Sequence, residues 1–513
     1  MSALTGLLIF TQPIKQILPK IPQILGAACE HVSKTLYIHL DPLAVSSYKS
    51  PQVSLYDRVL SQIYARTSQH CQDLDVRVLM TGFKHQSEIP LKTLIPIELV
   101  MFDMSYSGNE LNKLEQRYKS FIHTNNPIFL HSTHVSNLAE DHDNEDASEI
   151  CVGPENTIYN DVVVGGTFDR LHAGHKILLS QGLLRCRSRL TSGVSEGPLL
   201  KNKTLKELIL PIDQRIANLK AFLMDVDPTL DYNLVPITDP LGPTKWDPKM
   251  EMIVVSEETK KGVVIINAER IQGGLNLLQG HVINIVEDLC RNSDAEEAKV
   301  SSSSGRMRLL GTLLQPPTHK DNLPDTPCII GLTGGTDSGK TSVAKRLLGL
   351  GAGVVDCDKL GHEAYKEGTD CYNELIKAFG DSIVSEDGSI NRRALGPIVF
   401  GSKEKLDLLN SIVWPEIARL AQEKIKVLIF EGKKIIILDA AVLLEAKWDT
   451  FCHQVWVCII KRDEAVRRIV DRDGKSVDEA ERRIDNQMSN EQRVAQANVV
   501  FCTQWDYDYT QLQ

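Results

Sequence analysis

The stretch CIIGLTGGTDSGKT, residues 328–341, decides the fold of the C-terminal part of the chain. It begins with a mostly apolar run, as in a buried strand of a parallel sheet, and its last eight residues fit the pattern GxxxxGK[ST]. A helix is predicted directly afterwards, over 342–349. This order predicts a P-loop, in which backbone NH groups surround phosphate oxygens, Lys340 supplies a positive charge and Thr341 offers a hydroxyl to Mg²⁺.

A second glycine turn lies upstream in VVVGGTFDRLHAGH, residues 162–175. Gly165 and Gly166 permit a tight turn after an apolar strand, and the spacing of His172 and His175 places both imidazoles on one face of a following helix. The amino end of that helix offers unpaired NH groups, so we expect an anion there. A metal ion also suits a histidine pair, but no third ligand lies near in the sequence. The structural alternative is two histidines with satisfied hydrogen bonds at a helix start.

Length and composition limit the class of protein. A chain of 513 residues is expected to form two or three domains, and 42% hydrophobic with 24% charged residues exclude a wholly disordered protein. The net charge of −10 disfavours a general nucleic-acid binder, so we expect no nucleic-acid partner. The 11 cysteines are odd in number and contain no CxxC pair, which predicts neither a disulfide framework nor a zinc site and favours a reducing compartment.

Two polar stretches divide the chain. The acidic run within 136–156 predicts a linker, and the serine- and proline-rich stretch 292–326 predicts another. Between and after them lie 157–291 and 327–513, each opening with a β-rich run that breaks into glycines and then a helix. We therefore expect an α/β protein with two parallel-sheet nucleotide-binding domains, preceded by an N-terminal region, 1–135, whose alternating patches also suggest α/β structure.

The N-terminal region contains no motif that we can attach to chemistry. Its apolar runs, 6–10 and 14–29, fit the first strand and helix of a folded domain, which we favour; alternatively they dock on a membrane or act as a weak organelle signal. No stretch has the roughly 18 to 20 uninterrupted apolar residues that span a bilayer. We expect a cytoplasmic protein, and the second interpretation adds peripheral membrane contact, a regulatory role and association with mitochondria.

The first motif resembles a known family. GGTFDRLHAGH matches the (H/T)xGH signature of the Rossmann-like nucleotidylyltransferases, and its long form is similar to the eukaryotic and archaeal phosphopantetheine adenylyltransferases. The similarity continues through LLKNK (199–203), DPLGP (239–243) and VVSEETKKGVVIINAER (254–270). It implies adenylyl transfer from ATP to 4′-phosphopantetheine, giving dephospho-CoA and pyrophosphate. The residues that it implies are His172 and His175 for catalysis, Gly165, Gly166, Thr167, Ser256, Glu257, Thr259, Asn267 and Arg270 for the nucleotide, and Lys201 and Lys203 for the substrate.

One passage departs from that family. LLRCRSRLTSGVSEG, residues 183–197, is interrupted by arginines, serines and a glycine where a regular second strand is expected. The interruption predicts weaker strand pairing, and ordinary divergence at a sheet position is the alternative that we favour.

The P-loop block carries acidic residues at two further strand ends. Asp356 and Asp358 follow a second predicted strand, and Asp439 ends a third. Carboxylates that face a phosphate loop indicate metal partners or a base for a hydroxyl, although alone they also serve as helix caps.

The whole block resembles dephospho-CoA kinase. The similarity includes FGDSIVSEDGSINRRALGPIVF (379–400), WPEI (414–417) and the lid-like ERRIDNQMS (481–489). It implies that Asp358 takes the proton of the ribose 3′-hydroxyl of dephospho-CoA, that Lys340 assists, and that ATP with Mg²⁺ is the phosphate donor. The other residues implied for the nucleotide are Gly334, Gly335, Thr336, Asp337, Ser338, Gly339 and Thr341 of the loop and Arg468, Arg472, Arg483 and Gln487 of the lid on the ATP side. Those implied for the substrate are Asp356, Arg392 and Asp439.

Asp337 is the main departure from the kinase pattern, because it stands where glycine is normal. A carboxylate about 5 Å from a phosphate charge costs roughly 3 kcal/mol at an effective dielectric constant of 20, so we expect a slower kinase. Trp414, Gly361 and His362 depart from the pattern as well, which puts the substrate contacts there in doubt. The chain also ends soon after the strand-like 498–502, short of an expected closing helix.

The order of the two blocks, with the junction 299–317, resembles that of the bifunctional coenzyme A synthases of animals. Two alternatives stay open. One is a different nucleotidylyltransferase, cytidylyl- or flavin-adenylyl-transferring, fused to another small-molecule kinase. The other is a nucleotide-binding scaffold whose kinase half is impaired.

Overall fold

The computed structural model describes residues 2–41, 53–70, 74–84, 91–122, 127–130, 157–321, 323–400 and 402–513. The predicted linker 136–156 lies outside the described residues. The chain forms two compact units, Met1–Gly305 and Arg306–Gln513. Three five-stranded sheets, in which all the paired strands are parallel, make up these units, so the expected α/β class is confirmed.

The first sheet is built by the N-terminal region. Its strands are β1 Ala3–Phe10, β2 Val32–Leu40, β3 Asp75–Val78, β4 Leu99–Phe102 and β5 Ile128–Phe129, and its helices are α1 Ile14–Ile17, α2 Ile21–Cys29, α3 Val53–His70, α4 Thr81–Lys84 and α5 Asn109–Arg117. The strand order is β3-β2-β1-β4-β5. The apolar run 6–10 is therefore the central strand, with Leu7 to Phe10 fully buried, which confirms the interpretation as a folded domain.

The second sheet belongs to the same unit. It contains β6 Tyr159–Gly166, β7 Cys186–Ser195, β8 Asp231–Ile237, β9 Met252–Ser256 and β10 Gln279–Ile283, with the helices α6 Ala173–Arg185, α7 Ile212–Val226 and α8 Lys260–Gln272. The strand order is β10-β9-β6-β7-β8. The predicted weakness of strand pairing over 183–197 is limited to the start of β7, where the register with β6 shifts between Cys186 and Arg189. From Arg189 to Val194, β7 pairs with β6 on one side and β8 on the other, which agrees with the favoured alternative of ordinary divergence. The interrupting residues fit because Arg189 pairs with Asp161 and Asp247, while Leu190 and Val194 are fully buried.

The first two sheets share one hydrophobic core. Leu60 and Ile63 of α3 and Leu179 and Leu183 of α6 belong to a single cluster of buried side chains. Each of these four side chains is completely removed from solvent, which stabilises the fold by about 1.5 to 3 kcal/mol per side chain. The N-terminal sheet is therefore packed against the helix that follows β6, although no sequence motif pointed to that contact.

The third sheet forms the second unit. Its strands are β11 Cys328–Gly334, β12 Gly353–Asp356, β13 Ile435–Asp439, β14 Gln454–Ile459 and β15 Val499–Cys502, in the order β12-β13-β11-β14-β15. A short helix, α9 Ser302–Met307, lies at the junction of the units, and the helices of the second unit are α10 Lys340–Gly349, α11 Cys357–Ala364, α12 Asp370–Phe379, α13 Arg392–Phe400, α14 Lys403–Phe430, α15 Arg462–Asp473, α16 Val477–Asp485, α17 Asn490–Val494 and α18 Tyr507–Leu512.

The two stretches that flank this sheet are more ordered than the sequence suggested. Within the predicted linker 292–326, the NH group of Gly311 donates a hydrogen bond to the carbonyl of Val500. This part of the segment therefore lies beside β15. A helix of six residues, α18, follows β15, where the sequence suggested none. The Gln513 side chain then bonds to both backbone groups of Cys502.

Two expectations from composition concern cysteine and membranes. Among the described residues, eight cysteines are free thiols, whereas Cys29 is disulfide-bonded. The composition predicted no disulfide framework, so the structure departs from that prediction at Cys29. In the described part of the chain, no helix combines the length and apolar character needed to cross a membrane.

Candidate active sites

The first site lies at the carboxyl end of β6, the central strand of the second sheet. After Gly166 the chain reaches α6 through a loop in which Phe168 and Arg170 adopt positive φ angles of 47° and 48°. His172 is the N-cap residue of α6, and His175 lies in its first turn. The two imidazole rings stack with their centroids 3.9 Å apart. Both rings therefore converge on the amino end of α6, where NH groups and the helix dipole favour an anion.

Arg215 of α7 is a residue that the sequence analysis missed. Its side chain is almost fully buried and donates hydrogen bonds to the backbone carbonyls of Thr167, Ser195 and Leu210, at 2.7, 2.9 and 2.8 Å. Thr167 follows β6 and Ser195 ends β7, so one cation joins the ends of two neighbouring strands beside the histidines. Burial lowers the pKa of Arg215, and the nearby charges of Asp169 and Glu196 oppose that shift. The signal that the sequence offered for Arg215 was a cationic residue on the buried face of a helix.

Most of the other predicted residues of this site lie at the same edge. Ser256, Glu257 and Thr259 form a turn at the end of β9, where the Ser256 NH group donates to the Thr259 hydroxyl at 3.2 Å. Lys201 and Lys203 are exposed in the turn that follows β7. Because the carboxyl ends of parallel strands meet at one edge of a sheet, these residues can face the histidine pair.

Two predicted nucleotide-binding residues are placed differently. Arg270 is fully buried, and its guanidinium donates to four backbone carbonyls, those of Thr244, Asp247, Met250 and Asn276. The Asn267 amide exchanges hydrogen bonds with both backbone groups of Leu278. The predicted nucleotide contact of Arg270 is therefore corrected: its buried guanidinium already donates four hydrogen bonds inside the domain, which join α8 to the segments that precede β9 and β10.

The second site is the P-loop between β11 and α10. Gly334 and Gly339 are required by close contacts, because a Cβ atom on Gly339 would lie 2.6 Å from the Thr503 side chain and one on Gly334 would meet Ser338 and Cys458. Gly339 also has a φ of +77°, which disfavours a side chain. The remaining predicted loop residues, Gly335, Ser338 and Thr341, lie between the end of the strand and the first turn of α10.

Lys340 brings two of the predicted carboxylates together. Lys340 is 8% exposed, and its amine pairs with Asp439 and lies 3.1 Å from Asp358. Burial alone would lower the pKa of Lys340, but the charges of Asp439 and Asp358 outweigh burial and raise it. Burial raises the pKa of Asp439, against the opposing effect of Lys340.

Asp356 has a different local role from its neighbour. Its carboxylate caps α11 by accepting a hydrogen bond from the Lys359 NH group at 3.0 Å, and it forms an ion pair with the Lys359 amine at 2.9 Å. Asp356 therefore serves as a helix cap, which is the alternative that the sequence left open, whereas Asp358 lies beside Lys340 of the P-loop.

Residues of the predicted lid contact the P-loop directly. The Gln487 amide accepts a hydrogen bond from the Thr336 NH group at 2.9 Å and donates one to the Thr336 hydroxyl at 2.7 Å. Arg468 donates to the Asp337 carbonyl at 3.2 Å and to the Thr503 carbonyl at 2.6 Å. The structure thus brings together loop and lid residues that are more than 100 positions apart in the sequence.

Asp337 is paired with a lid arginine. It adopts a φ of 59°, and its carboxylate forms an ion pair with Arg472 while its side chain is 11% exposed. Arg472 and Arg483 both also bind Asp473, at 2.7 and 2.9 Å. The hydrogen bond that Arg472 donates to the Asp473 carboxylate and the charge of Asp337 raise the pKa of Arg472. A neighbouring cation therefore offsets much of the repulsion that Asp337 was expected to impose on phosphate.

Arg392 lies in a separate cleft of about 270 Å³. Its guanidinium is 2.6 Å from the His362 ring and lies over the Tyr365 ring at 5.3 Å from the centroid. His362, a departure from the kinase pattern, is thus in direct contact with a predicted substrate-binding residue.

Three family models match this chain. Residues 328–505 match "Dephospho-CoA kinase", residues 163–308 match "Cytidylyltransferase-like", and residues 4–124 match "COASY N-terminal domain". The first match contains the whole third sheet, the second most of the second sheet, and the third all but the last strand and the first residue of the first sheet.

Individual relatives match parts of the chain. A dephospho-CoA kinase of Carboxydothermus hydrogenoformans is 42% identical over 172 residues, which cover 34% of this chain and 84% of that protein. A phosphopantetheine adenylyltransferase of Saccharomyces cerevisiae is 40% identical over 166 residues, which cover 32% of this chain and 52% of that protein. Among solved structures, a dephospho-CoA kinase from Campylobacter jejuni is 23% identical with a TM-score of 0.28, and the match covers 36% of this chain and 92% of that one.

The ion pair between Asp337 and Arg472 predicts a specific coupling in ATP binding. We expect Asp337→Gly to change the dissociation constant of ATP little in the parent chain, because Arg472 already neutralises the carboxylate. In an Arg472→Met background the same change should tighten ATP binding by roughly fivefold, a coupling of the size expected for contacting charges. Isothermal titration with a non-hydrolysable ATP analogue measures all four variants, and an equal effect of Asp337→Gly in both backgrounds would contradict the assignment.

Proposed function

We propose that this chain, which belongs to the dephospho-CoA kinase family, catalyses two consecutive reactions. The first transfers the adenylyl group of ATP to 4′-phosphopantetheine and releases pyrophosphate, and the second phosphorylates the ribose 3′-hydroxyl of dephospho-CoA and releases ADP. These are the last two steps of CoA biosynthesis. The observation that carries the proposal is the presence of two phosphate-binding edges in one chain, a stacked histidine pair after β6 and a P-loop lysine between two carboxylates after β11.

The first reaction depends on positioning and on charge stabilisation. The phosphate of phosphopantetheine attacks the α-phosphorus of ATP, and the bond to the pyrophosphate leaving group breaks. The attacking phosphate is already ionised, so this step requires no general base. His172 and His175, together with the NH groups at the start of α6, donate hydrogen bonds to the oxygens on which negative charge increases. Arg215 holds the ends of β6 and β7 in place around them.

The second reaction requires a base and a cation. Asp358 accepts the proton of the ribose 3′-hydroxyl as that oxygen attacks the γ-phosphorus of ATP, and ADP leaves. Lys340, which lies beside Asp358 and Asp439, moves its charge to the phosphate oxygens when ATP enters. Arg468, Arg472 and Gln487 approach from the lid side, where the planar guanidinium groups bind phosphate in a bidentate manner.

The residues at the P-loop also fit a magnesium ion that accompanies ATP. Mg²⁺ prefers oxygen ligands and usually keeps several waters while it binds one or two protein groups and the substrate phosphates. The Thr341 hydroxyl at the start of α10 and the nearby carboxylates offer such oxygens. When bound, the ion neutralises charge on the β- and γ-phosphates.

The alternatives from the sequence are separated by substrate tests. The scaffold with an impaired kinase loses its main argument, because Arg472 neutralises Asp337. A different nucleotidylyltransferase predicts pyrophosphate release with cytidine nucleotides or flavin phosphates in place of ATP and phosphopantetheine. Incubation of the purified chain with ATP, Mg²⁺ and each acceptor, followed by mass spectrometry of the products, separates the possibilities.

We also propose a cytoplasmic location. The apolar residues that suggested membrane contact, such as Leu8, Phe10 and Ile21, are fully buried in the N-terminal sheet and its helices, so any attachment to mitochondria requires another surface. Fractionation of cells that produce the tagged chain tests both locations.

Removal of the histidine pair is expected to abolish the first reaction alone. For the double variant His172→Ala and His175→Ala, we expect the rate of dephospho-CoA formation to fall by at least about 10²-fold, the usual effect of losing transition-state donors. Phosphorylation of supplied dephospho-CoA should stay within about twofold of the parent. Near-parental formation of dephospho-CoA would refute the assignment of the histidines.

The complementary variant is Asp358→Asn. It keeps the shape of the side chain but cannot accept a proton, so we expect ADP release with dephospho-CoA to fall by about 10²- to 10⁴-fold. Pyrophosphate release with phosphopantetheine should be unchanged. A coupled assay of ADP release measures the loss, and a pH–rate profile identical in shape and height to that of the parent would argue against a base at this position.

Arg215 provides a test of the strand-end geometry. Arg215→Lys keeps the charge but cannot reach three carbonyls at once, so kcat of adenylyl transfer should fall by about tenfold or more. The kinase reaction of the same preparation serves as the control. A normal kcat would mean that Thr167 and Ser195 are held by other contacts.

A further inference from the structure

One face of α6 is anchored in the N-terminal sheet. Lys176 directly follows His175 and is only 7% exposed. Its amine donates hydrogen bonds to the Asp75 carboxylate at 2.6 Å and to the Val76 carbonyl at 2.9 Å. Asp75 and Val76 belong to β3, an edge strand of the first sheet. The side chain next to a histidine of the first site is therefore fixed by a different sheet.

The backbone of Lys176 is tied to the other histidine. Its NH group donates to the carbonyl of His172 at 3.0 Å, which is the first bond of the α6 ladder from the N-cap residue. Lys176 is thus fixed at both ends, by His172 through its main chain and by Asp75 through its side chain. A displacement of the amine would move the turn that carries both imidazoles.

Asp75 and Lys176 belong to a four-charge cluster that also contains Arg77 and Asp225. Arg77 binds Asp75 through Nε at 2.8 Å and Nη2 at 2.7 Å, and its Nη1 donates to Asp225 at 2.7 Å. The Asp225 side chain is completely buried and accepts a further hydrogen bond from the Tyr37 hydroxyl. The charges alternate along the cluster, so each buried cation lies beside an anion.

The four-charge cluster connects the two helices that place the first site. Lys176 belongs to α6, which begins at the histidines, and Asp225 lies in the last turn of α7, which carries Arg215. Asp75 and Arg77 of β3 lie between them. A strand of the N-terminal sheet therefore sets the position of the histidines and of the cation that joins the ends of β6 and β7.

Stability alone gives little reason for charges at this contact. Taking ion pairs out of water costs free energy, and an apolar contact of similar volume often stabilises as well or better. What hydrogen-bonded charges add is a fixed length and direction. Phosphoryl-type transfer depends on such precision, since a misplacement of about 1 Å can lower the rate by about 10²-fold.

The carboxyl edge of the N-terminal sheet shows a contrasting arrangement. The first two sheets have equivalent strand orders, with the first strand of each at the centre. In the N-terminal sheet, however, Asp103 accepts hydrogen bonds from the backbone and hydroxyl of Thr11, and Asp41 binds Arg117 and Tyr118. These polar groups at the strand ends bind one another. The ion pairs of this sheet with the helices of the first site lie instead on the face toward α6 and α7.

We propose that the N-terminal sheet is a positioning platform for adenylyl transfer, and that Lys176 and Asp75 are its positioning residues. The inference rests on the proposed function of the histidine site. The sheet holds α6 and α7 in the arrangement that aims His172 and His175 at the α-phosphate. Neither Lys176 nor Asp75 takes part in bond making, because both lie in the contact between the two sheets.

The test compares two ion pairs on the same helix. Lys176→Met removes the pair at the start of α6. Arg185→Met is the matched control, because Arg185 lies at the far end of α6, is 7% exposed in its side chain, and pairs with Asp57 of α3 at 2.8 Å. Both variants remove one cation from the same contact between sheets. Measurements on the full-length chain are the melting temperature, kcat and KM for phosphopantetheine and ATP, and the kinase rate with supplied dephospho-CoA.

We expect Lys176→Met to lower kcat of adenylyl transfer by about tenfold or more, with KM values within about threefold. Arg185→Met should lower the melting temperature similarly while kcat, measured well below that temperature, stays within about twofold. The kinase rate should be unchanged in both. Asp75→Asn preserves the shape of the side chain and leaves the Lys176 amine without its counter-charge, so it should reproduce the loss of kcat. If Lys176→Met does not fold, the kcat of Asp75→Asn, compared with that of Arg185→Met, tests the proposal instead.

Two outcomes would contradict the proposal that the N-terminal sheet is a positioning platform. One is a kcat within twofold of the parent in Lys176→Met. The other is an equal loss of kcat in Lys176→Met and Arg185→Met, since the contact would then contribute only stability. Failure of the proposed function gives a different result, because the parent chain itself would then form no dephospho-CoA.

Discussion

Parallel pairing of the strands is the constraint on which both sites depend. When the strands of a sheet run in the same direction, their carboxyl ends lie at one edge, and the helices that follow them begin at that edge. The histidine pair follows β6, and the P-loop follows β11, each the central strand of its sheet. Neighbouring strands then bring Ser256 beside the first site and Asp439 beside the second. The topology brings residues that are far apart in the sequence to one edge of each sheet.

Ion pairs between oppositely charged side chains balance the charges at the carboxyl edge of the third sheet. Lys340 is buried between Asp358 and Asp439, so its charge is maintained before nucleotide arrives. Asp337, which alone would repel phosphate, is matched by Arg472 from the lid. In the proposed kinase reaction, each arrangement exchanges a protein–protein ion pair for a protein–phosphate one when ATP enters. The free-energy difference is smaller than for bare charges, which suits a site that must also release its product.

In the first unit, the N-terminal sheet likewise contributes ion pairs beside the histidine site. Its apolar residues form a common core with α6, and Asp75 and Arg77 of its strand β3 pair with charges on α6 and α7. It is therefore part of the structural frame of the histidine site, although it carries no catalytic motif. The proposed positioning role gives such a region a function without recognisable chemistry, because rigid positioning is itself a contribution to rate.

The sequence by itself determined the local features: the two glycine turns, the histidine spacing, the P-loop and the α/β class. These follow from residues within about a dozen positions, whose backbone preferences act without distant partners. Tertiary structure alone decided the roles of Arg215, Arg270, Arg472 and Lys176. Their partners are reached through folding, some about 100 or more positions away, and a buried cation has the same local signature whether it meets a carbonyl, a carboxylate or a phosphate. The pairing of β7 from Arg189 to Val194 was settled in the same way, since Arg189 fits the sheet through Asp161 and Asp247.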